Sequence, residues 1–264
     1  GNVGWRQNEQ TFDAVTIKNT SVENLTLFYG YINRAERIFG SGDIHAPAQE
    51  DFEGDSHLGN ISYKFAPELT LTGYAYFLDL NNPAGDAASN NSFGLQAKGA
   101  FSVSEEVSIP YLLEGAYQTE GADSPLIYGA WYYHADAGIK AGKITTGAGF
   151  EHLGSDNGTG FQTPLATLHA FNGWADKFLT TPAGGLNDAY VYFNAALMED
   201  LAFQSQFHWF GPASGSLDYG QEVGAALVYT INKNFSVGAQ YAQYFADEFA
   251  TDTSRFVLDF GFKF

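Results

Sequence analysis

An all-β fold, an antiparallel transmembrane β-barrel, is what this sequence predicts, and three observations predict it. Apolar and polar residues alternate with a period of two in segments of about ten residues, the length a tilted strand needs to cross a bilayer. Short turns and long loops follow each other in alternation along the chain. No run of about 18 apolar residues occurs, so no helix is available to span a membrane. Without helices, only a closed barrel pairs every backbone polar group inside hydrocarbon.

Composition fits that class. The 264 residues suffice for one large β domain, and only 16% of them are charged, whereas Gly is 30, Phe 23 and Tyr 16. Mean hydropathy is nonetheless slightly negative, at -0.19, because half of each alternating strand faces water. Cysteine is absent, so no disulfide framework contributes.

The elements follow in order. About thirteen strands are expected, at roughly 10–18, 25–33, 57–66, 69–79, 92–102, 107–118, 127–141, 144–152, 188–197, 201–210, 219–230, 235–246 and 254–264. Leu69, Leu71, Gly73, Ala75 and Phe77 alternate with Thr70, Thr72, Tyr74 and Tyr76, and Phe203, Phe207 and Trp209 alternate with Gln204, Gln206 and His208. Turn chemistry marks one end of these strands, as at Ala66-Pro67-Glu68, Gly142-Lys143 and Ile231-Asn232-Lys233-Asn234. The long connections, 35–56, 80–91, 119–126, 153–187, 211–218 and 247–253, fall at the other end. Short turns on the periplasmic side and long loops outside is the asymmetry of an outer-membrane barrel.

The last strand is the most regular. Phe256, Leu258, Phe260, Phe262 and Phe264 share one face, and Val257, Asp259, Gly261 and Lys263 the other. This ending resembles the C-terminal signal read by the bacterial barrel-assembly machinery. If it finishes at the periplasm, an odd strand count leaves residues 1–9 in an extracellular loop. An even barrel then implies at least one strand before Gly1, so the whole of 1–264 is expected to be the C-terminal part of a larger barrel. The lack of a signal peptide agrees with that expectation.

Two segments carry a family resemblance: Gly4-Trp-Arg-Gln-Asn-Glu-Gln-Thr-Phe-Asp-Ala-Val-Thr-Ile-Lys18, and Gly160-Phe-Gln-Thr-Pro-Leu-Ala-Thr-Leu-His-Ala-Phe-Asn-Gly-Trp-Ala-Asp-Lys-Phe-Leu179. Both resemble the alginate-export family of outer-membrane porins. The resemblance implies a monomeric Gram-negative outer-membrane barrel with more strands than this chain holds. Its best-known members export alginate through a basic pore, whereas here 12 Lys+Arg face 30 Asp+Glu.

If the apolar set faces lipid, the pore-lining candidates are Lys18, Lys64, Lys98, Glu114, Asp136, Lys140, Glu151, Glu222 and Arg255. The four lysines lie on downward strands shortly before periplasmic turns. Two readings stand for them: an arc that favours anions, or structural pairing with Glu114, Asp136, Glu151 or Glu222. Arg255 and Asp259 are expected to pair with each other. The net charge of -18 concentrates in the long loops, with Glu36, Asp43, Glu50, Asp51, Glu53 and Asp55 in one of them. Solvated loop charge is the plain reading, and divalent-cation binding bridging to lipopolysaccharide the functional one. Ser155-Asp-Asn-Gly-Thr-Gly160 is a weak echo of a calcium turn that lacks the spaced acids and closing Glu.

The histidines, at 45, 57, 134, 152, 169 and 208, show no metal-ligand spacing, and nothing marks Ser155 beside His152 as a nucleophile. No cofactor and no enzymatic activity are expected. The acidic balance also argues against nucleic acid. Within the 153–187 loop, Leu165, Leu168, Phe171, Ala175 and Phe178 have near-helical spacing after Thr163 and Pro164, which suggests a short helix that either constricts the pore or packs over the rim. The expected function is passive diffusion of small polar or anionic solutes, with oligosaccharides within its range. The alternative is a non-conducting barrel whose acidic loops act as an interaction scaffold.

Overall fold

The structure is a computed structural model that describes residues 9–39 and 46–263. Asp43, His45, Phe264 and residues 1–8 lie outside the described residues.

One antiparallel sheet of thirteen strands dominates the described residues. It comprises β1 (Thr11–Asn19), β2 (Leu25–Glu36), β3 (Phe52–Ala66), β4 (Leu69–Leu78), β5 (Asn90–Ser102), β6 (Val107–Glu120), β7 (Gly129–Ala141), β8 (Ile144–Leu153), β11 (Leu186–Ala196), β12 (Leu201–Gly211), β13 (Gly220–Thr230), β14 (Phe235–Ala246) and β15 (Thr253–Phe262). Two short strands, β9 (Ser155–Asp156) and β10 (Thr159–Gly160), form a separate hairpin. Each strand of the large sheet pairs with its sequence neighbour, and β8 pairs with β11 across the long intervening segment. This is the up-and-down order expected, and it leaves β1 and β15 as the two edges of the sheet.

The register keeps the dyad alternation in phase across strands. Ile17, Tyr29, Gly59, Ala75, Phe93, Tyr117 and Trp131 form one continuous row of cross-strand partners. Because a slip of one residue would invert the faces, this row fixes one side of the sheet as apolar. That side is exposed: Phe260 is 81% accessible, and Leu95, Trp131 and Phe256 are more than half so. Aromatic pairs such as Tyr117–Trp131 (4.8 Å between ring centroids) and Phe207–Trp209 (4.4 Å) run along it. A soluble protein would bury such a surface; a barrel turns it to lipid.

β3 begins at Phe52, five residues before the sequence suggests. The earlier start rests on Gly54, whose φ is +148° and whose missing Cβ lets the backbone pass the Asp79 carbonyl oxygen; a Cβ there would sit 2.2 Å from it. Glu53 then bridges to Asn81, extending the hairpin beyond the alternating stretch.

The opposite face holds the core. Residues between β10 and β11 cross it as an irregular strap. Phe178 of the strap packs on Phe210, Tyr219, Tyr244 and Phe249, with centroids 4.4–6.0 Å away. Leu165 packs on a second cluster made of Ala35, Phe52, Leu78 and Leu80. A strap that touches β3 and β4 at one point and β15 at another shows that the sheet curls around it.

The expected helix over 164–179 is not there. Leu168, Asn172 and Asp176 all have positive φ (68°, 55° and 59°), as does Gly173 (88°), so the chain reverses about once per turn. Its backbone bonds are isolated turns, such as Phe171 N–H to Leu168 C=O, while the N–H groups of Trp174 and Ala175 donate to a side chain of the sheet. Tertiary partners take the donors that a helix would have used.

Candidate functional site

The register places Lys18, Lys64, Lys98, Glu114, Asp136, Lys140, Glu151, Glu222 and Arg255 on the strap-bearing face. Lys18 stands opposite Phe28, Lys64 and Lys98 both flank Thr70, and Lys140 stands opposite Thr145. Glu114 lies between Gln96 and His134, Asp136 between Leu112 and Gly149, and Glu151 between His134 and Asp188. Glu222 lies between His208 and Tyr244, and Arg255 opposite Ala242.

The charges are not paired as the sequence suggests. Lys18, Lys64, Lys98 and Lys140 are exposed at the turn ends of their strands, and among the described residues none forms an ion pair. Arg255 pairs with Asp176 of the strap rather than with Asp259, because the strap brings a carboxylate onto β15 from above.

The carboxylates instead take neutral donors. Glu114 accepts from Tyr74 (2.6 Å) and Gln96 (2.7 Å), and Asp136 from Tyr190 (2.9 Å) and Tyr192 (3.1 Å). Glu151 accepts from Tyr132 and from the strap's Asn172, each at 2.7 Å. Asn172 also reaches Asp188 (3.2 Å), whose other oxygen meets His208 Nδ1 at 2.7 Å. Glu222 accepts the backbone N–H of Trp174 at 2.5 Å and that of Ala175 at 3.2 Å. Asp188 and Glu222 are at most 1% exposed, so these bonds replace all of their water.

Two glycines let the strap seat so closely. A Cβ at Gly224 would lie 2.7 Å from the Trp174 ring, and one at Gly173 would lie 2.6 Å from the Glu222 carboxylate. At the strap's other end, His169 bridges Asp176 (2.5 Å) and Gln240 (3.0 Å). Gln162 donates its N–H to Gln118 Oε1 at 2.6 Å and its side-chain amide to the Ala87 carbonyl.

Between the strap and β7–β12 lies a cavity of about 480 Å³, lined by Asp136, Glu151, Asp188, Tyr190, His208 and Trp174 among others, with no Lys or Arg in its wall. No group of three or more acidic, His or Cys side chains close enough to hold a metal exists among the described residues. Ser155–Gly160 forms the β9–β10 hairpin, with positive φ at Asn157 and Gly158, and Asp156 accepts the Gly129 N–H. Outside the strands, burial lowers the Arg37 guanidinium from its ordinary range and raises the Tyr128 phenol.

Asp188, His134 and His208 belong to the site but were not singled out from the sequence, although each sits on the inward phase of its strand. That phase was the signal available for them. Asn172, Trp174 and Asp176 come from the strap, where no periodicity points to a face.

The architecture is that of bacterial outer-membrane porins. The solved structures it is similar to include Acinetobacter baumannii OccAB2 (TM-score 0.75, 14% identity, covering 96% of this chain and 68% of that one). Pseudomonas aeruginosa OccK3 (OpdO) gives TM-score 0.74 at 15% identity over 96% and 69%, and Pseudomonas aeruginosa OpdL 0.69 at 19% over 96% and 72%. No protein-family profile and no curated protein matches the chain. The resemblance to the alginate-export family is thereby corrected: the structural likeness runs to Occ and Opd proteins. That resemblance rested on the two segments 4–18 and 160–179, whereas the structural likeness extends over 96% of the chain.

Proposed function

We propose that this chain is a porin-type channel of the bacterial outer membrane, through which small polar solutes diffuse. The observation that carries the reading is the division of one curled sheet into an exposed apolar, aromatic face and a polar face crossed by a folded strap. The first face meets acyl chains and lipopolysaccharide, and β15 offers the barrel-assembly machinery its alternating aromatics. The second lines a water-filled path that the strap narrows. Occ and Opd structures share this fold, which is an analogy of architecture.

In hydrocarbon the edges of β1 and β15 must be paired, either with each other or with further strands. Lys18, Lys64, Lys98 and Lys140 form the arc toward the turn side of this path, Glu114, Asp136 and Arg255 line it higher up, and Glu151 and Glu222 anchor the strap that narrows it.

Planar-bilayer recording tests the reading: step-like conductance of ohmic channels is expected, and absence of current at any voltage removes it. The second reading, a non-conducting barrel serving as a scaffold, draws support from the apolar cluster of Phe161, Phe178, Phe210 and Tyr244 that fills part of the strap-bearing face. It predicts a folded, heat-modifiable barrel with no current.

A further inference from the structure

The cavity between the strap and β7–β12 is more specific than a water path requires. Three carboxylates from three strands, Asp136, Glu151 and Asp188, converge on it. Among the described residues every partner they have is a phenol, an amide or an imidazole, and none is a Lys or Arg. The cations of the strap region are engaged elsewhere: Arg255 with Asp176, and Lys177 over the Tyr244 ring, 5.9 Å from its centroid.

A second observation points to an absent ligand. His208 lines the cavity, is only 5% exposed, and its Nε2 has no hydrogen-bond partner among the described residues. With its Nδ1–H donated to Asp188, the neutral ring presents Nε2 as an acceptor. A buried acceptor without a donor has lost its hydration and gained nothing, so its presence in a lined cavity calls for an N–H or O–H from outside.

We infer that this cavity binds small organic cations carrying two or more ammonium groups, the chemistry of aliphatic polyamines. The inference rests on the channel reading for the ligand's route of access. The wall offers acceptors, which ammonium N–H groups satisfy. One positive charge would leave two of the three carboxylates uncompensated, so a multiply charged ligand fits better. Trp174, Tyr190 and Tyr192 supply aromatic faces for the methylene chain and for cation–π contact. The volume, about 480 Å³, is within the range of small-molecule sites. A ligand carboxylate would meet three like charges with no Arg or Lys to receive it, and a neutral sugar would satisfy acceptors while leaving the charge in place.

Titration calorimetry on the folded, detergent-solubilised chain tests this with spermidine, maltose and glutarate as probes. Spermidine is expected to bind, more weakly as salt rises, and the other two not to. Asp188→Asn should weaken spermidine at least about tenfold, a change of 1.4 kcal/mol. Because Asp188 is buried and that variant is at risk of misfolding, Gln206→Lys is the second variant. It leaves every carboxylate and its bonds intact, adds a positive charge at the cavity wall, and should weaken spermidine by a similar factor. No spermidine binding to the folded wild-type chain overturns the inference. So does unchanged binding in Gln206→Lys, or binding of maltose or glutarate in its place. The channel reading fails separately: spermidine binding without any bilayer current would sink that reading and leave the site standing.

Discussion

On β3 and β5, Lys64 and Lys98 stand on either side of Thr70, exposed and without an ion pair among the described residues. On β8, β11 and β13, Glu151, Asp188 and Glu222 occupy the same face of the same sheet, buried, with their oxygens taken by neighbouring donors. Both regions are built on one dyad alternation, and both place a charged residue inward. They differ in whether the strap lies over them. Where water keeps access, a lysine is solvated and needs no partner. Where the strap excludes water, a carboxylate persists only because a phenol, an amide, an imidazole and two backbone N–H groups replace its hydration. Burial, more than the sign of the charge, divides the two walls.

That contrast breaks most readily at Glu222. Glu222→Ala leaves the N–H groups of Trp174 and Ala175 without their acceptor in a buried site, and should cost about 2–4 kcal/mol. Thermal unfolding in detergent reads the loss, and single-channel conductance should rise as the strap loosens. An unchanged unfolding temperature would show that the strap is held elsewhere. Gly224→Val drives a side chain into the Trp174 ring and should cost about 1–3 kcal/mol by overpacking, visible as a shift in tryptophan emission.

Arg255→Ala removes the partner of Asp176 at a partly buried position, so a loss of about 1 kcal/mol is expected. His169, which also meets Asp176, should soften the effect. Stability should move least on the lysine wall. Lys64→Glu combined with Lys98→Glu should leave unfolding within about 0.5 kcal/mol of wild type, since neither lysine has an ion-pair partner to lose. The same double variant should shift the reversal potential toward cations if the arc selects anions. An unmoved potential would assign selectivity to the acidic wall alone.

Much of the architecture was legible in the residues. The alternation in β4, β5 and β12 located the strands to within a few residues, and the short turns at Pro67-Glu68 and Gly142-Lys143 appear where turn chemistry marked them. The inward phase assigned all nine candidate lining residues to one face, since a period of two leaves only two choices. Partners were not legible. Arg255 lies four residues from Asp259 on one strand, yet meets Asp176, 79 positions away in sequence. The strap misled because its apolar residues have helical spacing while its backbone follows the demands of Glu222 and Gln118. Family assignment failed for a related reason: two short segments carried it, whereas the likeness that overturns it lies in the arrangement of the whole sheet.

The sequence by itself therefore determined which residues alternate, which faces are apolar and where the chain turns, because these are local consequences of strand geometry. Only the tertiary structure decided which charges are buried, which are compensated and what lies over them. Those depend on a strap of irregular backbone seating on strands far away in sequence, through glycines that permit close approach and donors that no periodicity reveals.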